Sequence, residues 1–270
     1  MNLFFKENIK LKKILNIIIL LICVIYAWII YYKNGAIQAT VMTLVLFIIL
    51  EVIIFFVVGL RDQKKLNKIL TLLYNDITPL IFIKKINEII DLDILNTTTK
   101  IAILSHKANA YAYSGNFEEA YSILDEIDKL AIRKNDKAQI LGNRISYQLL
   151  ENKLDNIDKE MKEFEVFAFA DNSKYKFSHK SYKRNYIHQQ IHLKIIRKEK
   201  LTGSEVNELY ESIQTGGNQL NIESLRYYAA LFLIRDKDKT GALEQLKKID
   251  LKNEITIIRK KAKVLYKELS

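Results

Sequence analysis

The chain begins with two long apolar runs separated by a short polar turn. Residues 14–32, ILNIIILLICVIYAWIIYY, carry no charge, and residues 37–60 form a second run that only Glu51 interrupts. A helix needs about 20 apolar residues to cross a hydrocarbon core roughly 30 Å thick. The intervening KNG has the composition of a turn. The pattern predicts a tight transmembrane hairpin with spans 14–32 and 37–60, after a basic N-terminal segment, residues 1–13.

Glu51 is the one charged residue inside the second span. Counted from Asn34, Glu51 lies 17 residues after the turn and Asn16 lies 18 residues before it, so the two should lie at a similar depth. An ionised carboxylate near mid-membrane costs roughly 2.5–3.5 kcal/mol on insertion scales. One interpretation is that Asn16 donates a hydrogen bond to a protonated Glu51 and pins the hairpin. A second is that Glu51 faces another membrane subunit or a second copy of the chain. A third, a proton or ion relay, needs more intramembrane polar groups than Gln38, Thr40 and Thr43 supply.

From residue 61 apolar residues recur with the period of an α-helix and are separated by polar residues. Residues 61–75 continue the second span as an amphipathic helix, and Pro79, the only proline, marks the start of another helix. We interpret residues 61–100 as linker helices. Glycine and proline are scarce in the whole chain, with eight and one copies, which disfavours sandwiches and barrels. The predicted fold class is therefore all-α, with the hairpin followed by a larger helical domain.

The clearest pattern lies at residues 103–127, ILSHKANAYAYSGNFEEAYSILDEI, which reads as a helix, a turn and a second helix. Small Ala108 and aromatic Tyr111 precede the turn at Gly115, and small Ala120 follows it. This order of positions resembles the tetratricopeptide repeat, a 34-residue helix pair. The resemblance extends over residues 101–270 and implies a helical-repeat (tetratricopeptide-like) solenoid.

Further helix pairs follow the first one. At a distance of 34 residues Gly142 replaces Ala108 and Asn143 replaces Asn109, although the next helix leaves the repeat register. The remaining pairs are expected at 176–198 with 204–215 and over 221–249, with a polar-faced capping helix at 253–270.

The resemblance also implies where a partner would bind. Stacked helix pairs curve into a groove lined by their first helices, and in this family the groove binds peptides or extended segments of other proteins. Asn109, Tyr113 and Asn143 take groove-facing positions and could hydrogen-bond a ligand backbone. The alternative is that they are ordinary solvated polar residues.

Positive charge gathers at both outer ends of the predicted hairpin. Four lysines precede the first span, and Arg61, Lys64, Lys65 and Lys68 follow the second, whereas the turn offers only Lys33. Because lysine and arginine flank spans on the cytoplasmic side, we expect a multi-pass protein of the bacterial cell (inner) membrane. Both termini and residues 61–270 would then be cytoplasmic. The single cysteine in the chain excludes an intrachain disulfide.

Residues 174–200 form the most basic stretch, with nine lysines or arginines against Glu199 alone and aromatic residues between them. Lys183 and Arg184 in this stretch are candidates for partner contacts. The charge could be neutralised by the acidic helix at 151–165, could attract an acidic protein or peptide, or could bind nucleic acid or lipid headgroups. Nucleic acid is unlikely to be the partner, because a basic domain beside an anionic membrane does not require it.

Candidate catalytic chemistry is sparse. His188 and His192 have the i, i+4 spacing of a zinc pair, but Gln189 stands where the H-E-x-x-H motif has its general base, and no third ligand is evident. We therefore expect that the protein is not an enzyme and that it holds no metal or cofactor.

Two functional hypotheses follow from these patterns. The first is a membrane-anchored scaffold that docks a protein or peptide, possibly acidic, in a helical-repeat groove. The second is an accessory subunit of a membrane transporter or immunity system that acts through the hairpin, where Asn16 and Glu51 would contact another subunit or form a homo-oligomer.

Overall fold

The computed structural model describes residues 6–90, 95–130, 133–169 and 176–270. These residues form twelve α-helices and no β-strand, which confirms the all-α class. In chain order the helices are α1 (Lys6–Asn34), α2 (Ala36–Tyr74), α3 (Pro79–Ile89), α4 (Thr97–Ser114), α5 (Phe117–Leu130), α6 (Lys134–Glu151), α7 (Ile157–Phe169), α8 (Lys176–Ile196), α9 (Gly203–Thr215), α10 (Gln219–Arg235), α11 (Lys239–Lys247) and α12 (Ile257–Leu269).

Helices α1 and α2 contain the two predicted spans. A single residue, Gly35, connects them with φ +85°, a left-handed conformation that glycine adopts without strain. Both helices are long and apolar enough to cross a membrane. Their apolar side chains lie mostly on the surface, with Val24 66% and Ile37 83% exposed. Because a soluble core would bury such side chains, α1 and α2 could span a membrane.

The chain divides into two compact units. One contains the hairpin, and the other contains the helices from residue 101 onwards together with residues 71–84. This segment was predicted as part of the linker, yet Leu73, Ile77 and Phe82 are fully buried. The end of α2 and the start of α3 thus supply core residues to the helical unit.

From α4 onwards the helices follow one another as pairs. The first helices of successive pairs pack together, α6 on α8 and α8 on α10, while α5, α7 and α9 each pack against the first helix of the next pair. The small positions of the sequence pattern lie at tight crossings, since Ala108 and Ala120 are fully buried. A Cβ built on Gly142 would lie 3.0 Å from Phe164 Cζ. Small residues therefore let these helices approach closely.

The core of the paired helices is divided into successive clusters. Each cluster is built by three consecutive helices: α6–α8 around Phe164, α8–α10 around Tyr228, and α10–α12 around Leu246. The final helix, α12, packs on α10 and α11 in the place expected of a cap. It also reaches α6, where Lys261 Nζ donates a hydrogen bond to Leu150 O at 2.5 Å. The last helix thus contacts one of the early pairs.

Candidate ligand cleft

The first helices of the pairs enclose a cleft of about 440 Å³. This volume is within the range of roughly 300–1,000 Å³ that is typical of ligand pockets. Helices α4, α6, α8 and α10 supply most of its walls, and Ser212 of α9 and the α9–α10 turn complete them. The described residues that line it are Tyr113, Ser146, Leu149, Leu150, Ser181, Arg184, Asn185, His188, Gln189, His192, Ser212, Gly216, Gly217, Asn221, Ser224, Leu225 and Tyr228.

Helix α8 contributes a polar stripe to the cleft. The period of an α-helix places residues three and four apart on one face. The same helix also carries buried Ile191 and Ile195, which pack into the core shared with α9 and α10. The stripe consists of Ser181, Arg184, Asn185, His188, Gln189 and His192.

Gln189 lines the cleft although it is only 2% exposed. Its Nε2 donates to Gly142 O at 2.6 Å and to Ser146 Oγ at 2.8 Å, and these bonds fix the orientation of the amide. Its Oε1 is buried and has no hydrogen-bond partner among the described residues. An unpaired buried acceptor costs about 1–3 kcal/mol. A ligand that donates an N–H to Oε1 would recover part of this cost.

His188, Glu208 and Ser212 form a hydrogen-bonded cluster beside the stripe. His188 Nε2 lies 2.9 Å from Ser212 Oγ and 3.2 Å from Glu208 Oε1. A serine-hydrolase relay needs the nucleophile and the acid on opposite ring nitrogens, whereas both contacts here fall on Nε2. Burial lowers the pKa of His188, although its hydrogen bond to Glu208 acts in the opposite direction. The cluster has the composition of a catalytic triad without its geometry.

Arg184 reaches across to this cluster. Its Nη2 donates to Ser212 Oγ at 3.2 Å and to Thr215 Oγ1 at 3.5 Å, and its Nε lies 3.8 Å from Glu208 Oε1. The side chain is 52% exposed, and a guanidinium carries five N–H donors. Arg184 therefore retains donors that a ligand in the cleft could engage.

His192 forms the opposite end of the stripe and stacks on Tyr228. The ring centroids are 3.7 Å apart with an interplanar angle of 11°. Burial, and secondarily the nearby His188, lowers the pKa of His192 to about 3, so its ring is neutral at physiological pH. His192 Nε2 is buried and has no partner among the described residues. No group of three or more metal-ligating side chains occurs in the described part of the chain.

The structure brings together only some of the predicted groove residues. Arg184 and Tyr113 line the cleft. Asn109 has both ends of its amide engaged, donating to Tyr74 Oη at 3.2 Å and accepting from Tyr147 Oη at 2.6 Å. Asn143 is half-buried, and its Nδ2 has no partner among the described residues. As ligand contacts, Asn109 and Asn143 stay predictions.

Lys183 lies outside the cleft lining, with its Nζ 5.3 Å from the centre of the Phe169 ring. Further along α8, Lys194 pairs with Glu205 at 2.5 Å, and Arg197 forms a two-bond pair with Asp158 of the acidic helix α7. Part of the positive charge of residues 174–200 is thus neutralised within the protein.

A buried network around Asn109 has no counterpart in the sequence patterns. Tyr74, at the end of α2, lies 2.7 Å from His106 Nδ1 and accepts from Asn109. Burial raises the pKa of Tyr74 to about 12 and lowers that of His106 to about 4, so both groups are neutral at physiological pH. Tyr74 lies outside the repeat pattern and 32 residues from His106. Spacing alone could not have associated them.

The hairpin has its own polar contact at the end opposite the turn. Asn8 Nδ2 donates to Asp62 Oδ1, and both side chains are fully buried. Each residue lies 27 positions from Gly35, which makes that glycine the centre of the hairpin. In this register Asn16 and Glu51 are offset by three residues, about 4.5 Å along the helix axis.

The offset explains why Asn16 forms no hydrogen bond with Glu51. Its Oδ1 is buried without a hydrogen-bond partner, and no hydrogen bond joins it to Glu51 among the contacts of the described residues. Glu51 is half-buried in α2. The structure does not show the pin between the spans, and the contact stays a prediction.

The fold and the cleft define an all-α protein with two helices that could span a membrane and a polar cleft among paired helices. Comparison with protein-family models, curated proteins and solved structures found no match to the chain. The function must therefore be argued from the residues themselves.

Proposed function

We propose that the chain is a membrane-anchored scaffold that docks a protein or peptide partner at the cytoplasmic face of the cell membrane. The paired helices act as a tetratricopeptide-like solenoid whose first helices form the docking groove. The hairpin is the anchor, with both termini in the cytoplasm. Anchoring one binding partner at the bilayer raises its effective concentration toward other membrane components.

The observation that carries this proposal is the cleft itself. It is lined mainly by the first helices of four successive pairs, and polar side chains of α8 lie in it beside buried apolar residues such as Leu149 and Leu225. Two of its buried polar atoms, Gln189 Oε1 and His192 Nε2, have no partner among the described residues. Since buried polar groups are paired in most folded proteins, these atoms point to a bound partner. The buried small positions Ala108, Ala120, Ala230 and Ala242 support the repeat architecture.

Photo-crosslinking from inside the cleft tests the proposal. A benzophenone amino acid replaces Ser181, which lines the cleft, in the full chain in its native membrane. The matched control places the same group at Lys183, an exposed residue outside the lining. We expect an adduct with one defined protein from position 181 and none, or only scattered adducts, from position 183. Equal labelling from both positions, or no protein adduct from position 181, would contradict docking in the cleft.

One observation in the hairpin favours a second function, as an accessory subunit of a membrane assembly. Glu51 lies in an apolar span, and no hydrogen bond or ion pair is recorded for it among the described residues. An unpaired carboxyl in hydrocarbon is costly, and a polar group on another subunit or a second copy would stabilise it. Asn16 Oδ1, also unpaired, would contribute to the same contact.

Co-purification in mild detergent separates the two functions. Glu51→Ala should release a membrane partner or dissociate a homo-oligomer if the hairpin is the working surface. Glu88→Ala, which removes an exposed carboxylate of α3, is the matched control. A partner that stays bound to Glu51→Ala and leaves with a cleft variant assigns the function to the cleft alone.

A further inference from the structure

One side of the cleft carries a guanidinium. Arg184 is the only residue with a permanent charge among the described residues that line it, and Glu208, outside the lining, lies 3.8 Å from its Nε. The guanidinium also contacts Thr215, directly before Gly216 and Gly217, which line the cleft. Helix α10 begins two residues later, at Gln219, and the Asn218 side chain already accepts from the Asn221 N–H. The N–H groups that precede Asn221 are left for an anion, which the partial positive charge of a helix N-terminus favours.

The buried side chains that line the cleft require a hydrogen-bond donor instead of an anion. Gln189 and His192 lie one turn apart on α8 and each has a buried, unpaired polar atom. Gln189 Oε1 can only accept a hydrogen bond, and its amide cannot flip without losing the two bonds of Nε2. A ligand made of acceptors alone, such as a phosphate backbone, would leave Oε1 unpaired. An extended polypeptide satisfies it, because its backbone offers free N–H groups.

We propose that the cleft binds an acidic peptide segment in extended conformation. A glutamate or aspartate side chain of the segment is bound by Arg184 and the N-terminus of α10, and a backbone N–H of the same segment is donated to Gln189 Oε1. The inference rests on the proposed docking function and specifies the chemistry of its ligand. A chain terminus is not required, since an internal acidic residue supplies the carboxylate.

Selection from a random peptide library tests the acidic preference. The probe is a phage library of octapeptides fused through their C-termini, so that no free terminal carboxylate is present. The bait is the full chain in lipid nanodiscs. We expect enrichment of glutamate or aspartate at one position with the wild type and no such enrichment with Arg184→Gln. Lys183→Gln, which changes a neighbouring charge outside the cleft lining, should select as the wild type does.

The best selected peptide is then synthesised with both ends blocked. Replacing its acidic residue by the uncharged isostere should weaken binding to the wild type about tenfold or more, as expected for a charge-assisted hydrogen bond. The same replacement should change binding to Arg184→Gln much less. If the wild type and Arg184→Gln lose affinity equally, Arg184 does not bind the carboxylate and the proposal is wrong.

N-methylation of each peptide amide in turn tests the role of Gln189. One methyl group should reduce affinity for the wild type about tenfold, and that reduction should disappear in Gln189→Met, which lacks the acceptor. The comparison is made within each protein, so a general loss of stability in Gln189→Met does not mimic the result. An equal methylation profile in both proteins would overturn the assignment of Oε1.

Two outcomes separate this inference from the docking function. A protein adduct from position 181, together with peptides selected without any acidic preference, would leave docking intact and remove the acidic ligand. Binding of a single-stranded oligonucleotide that depends on Arg184, with no peptide selected, would overturn both. We expect the oligonucleotide to bind equally to the wild type and to Arg184→Gln.

Discussion

Arg259 of α12 and Glu223 of α10 form a buried ion pair. Two bonds of 2.8 and 2.9 Å join the guanidinium to the carboxylate, and the side chains are only 6% and 2% exposed. Asp250 adds a longer contact at 3.3 Å. Removing one partner of such a pair leaves a buried charge uncompensated. The pair therefore contributes to holding α12 on α10.

Arg259→Ala should lower the free energy of unfolding by about 3–5 kcal/mol, the usual cost of breaking a buried pair. Arg197→Ala, which removes a pair whose aspartate is 66% exposed, should cost no more than about 1 kcal/mol. Urea unfolding followed by circular dichroism compares the two. The double variant Arg259→Met, Glu223→Leu should recover much of the loss. A similar loss of unfolding free energy in Arg259→Ala and Arg197→Ala would show that the buried pair stabilises the fold no more than the exposed pair does.

Two buried histidines make stability depend on pH. The pKa is about 4 for His106 and about 3 for His192, because burial disfavours their charged forms. Both values lie below the ordinary value of about 6.5 that applies in the unfolded chain. Between pH 6.5 and about 4 the unfolded state therefore binds protons that the folded state does not. The contribution of the two neutral histidines to the free energy of unfolding is fully present above pH 6.5. It falls as the pH decreases, by up to about 1.4 kcal/mol per pH unit for each histidine.

His192→Phe should remove part of this dependence, since phenylalanine keeps the stack on Tyr228 but cannot be protonated. We expect the variant to lose less unfolding free energy than the wild type between pH 7 and pH 5. Parallel urea titrations at the two pH values provide the measurement. Equal losses in both proteins would mean that His192 binds its proton alike in the folded and unfolded states.

At the scale of elements, the hairpin shows how an error of one residue in the turn centre changes which residues of the two helices face each other. The turn composition predicted a hairpin correctly, but counting from Asn34 instead of Gly35 placed Asn16 opposite Glu51. The observed centre, defined by Asn8 and Asp62, separates them by three residues. Because the connection is one glycine long, a shift of a single position in the assumed turn moves every cross-helix pair.

The proposed orientation of the hairpin can be measured directly. In a Cys23→Ser background, a cysteine at Lys33 should react with a membrane-impermeant maleimide added to intact cells. A cysteine at Lys64, beyond the second span, should react only after the membrane is permeabilised. The expectation follows from the lysines and arginines at the outer ends of both spans. The reverse labelling pattern would place residues 61–270 outside the cytoplasm.

The helix pairs were more predictable than the cleft between them. Small residues, the Gly115 turn and helical periodicity are local signals, and they located α4, α5 and α8–α11 closely. The residues that line the cleft depend on how separate helices meet. Lys183 and Arg184 are adjacent in the sequence, yet a rotation of one residue on α8 places only Arg184 in the cleft lining. The sequence presents Gln189 only as the replacement of a catalytic glutamate, because nothing local shows that α6 holds its amide.

The helical unit as a whole is stabilised by a row of clusters instead of one central core. Phe164 is fully buried in the cluster of α6, α7 and α8, and the clusters of later helices are formed by other residues. Where helix pairs mainly contact their neighbours, stability is close to a sum of local and nearest-neighbour terms. Damage to one cluster should therefore weaken its own helices first.

Phe164→Ala should cost about 3–5 kcal/mol through lost burial and the cavity left behind. Hydrogen exchange of the full chain should accelerate most in α6, α7 and α8 and least in α11. Leu246→Ala, in the cluster of α10–α12, is the matched control and should give the opposite distribution. Uniform acceleration along the whole unit in both variants would mean that the clusters unfold as one.

The hydrogen bond from Lys261 to Leu150 O has a consequence for how this protein can change over evolutionary time. Repeat arrays with free ends lengthen by duplicating a unit, since an added pair only moves the cap outward. Here the last helix contacts the end of an early helix, so an inserted pair would separate Lys261 from its acceptor. On the proposed function, the number of pairs would then be tied to the dimensions of the ligand, and new specificity would come from substitutions in the lining.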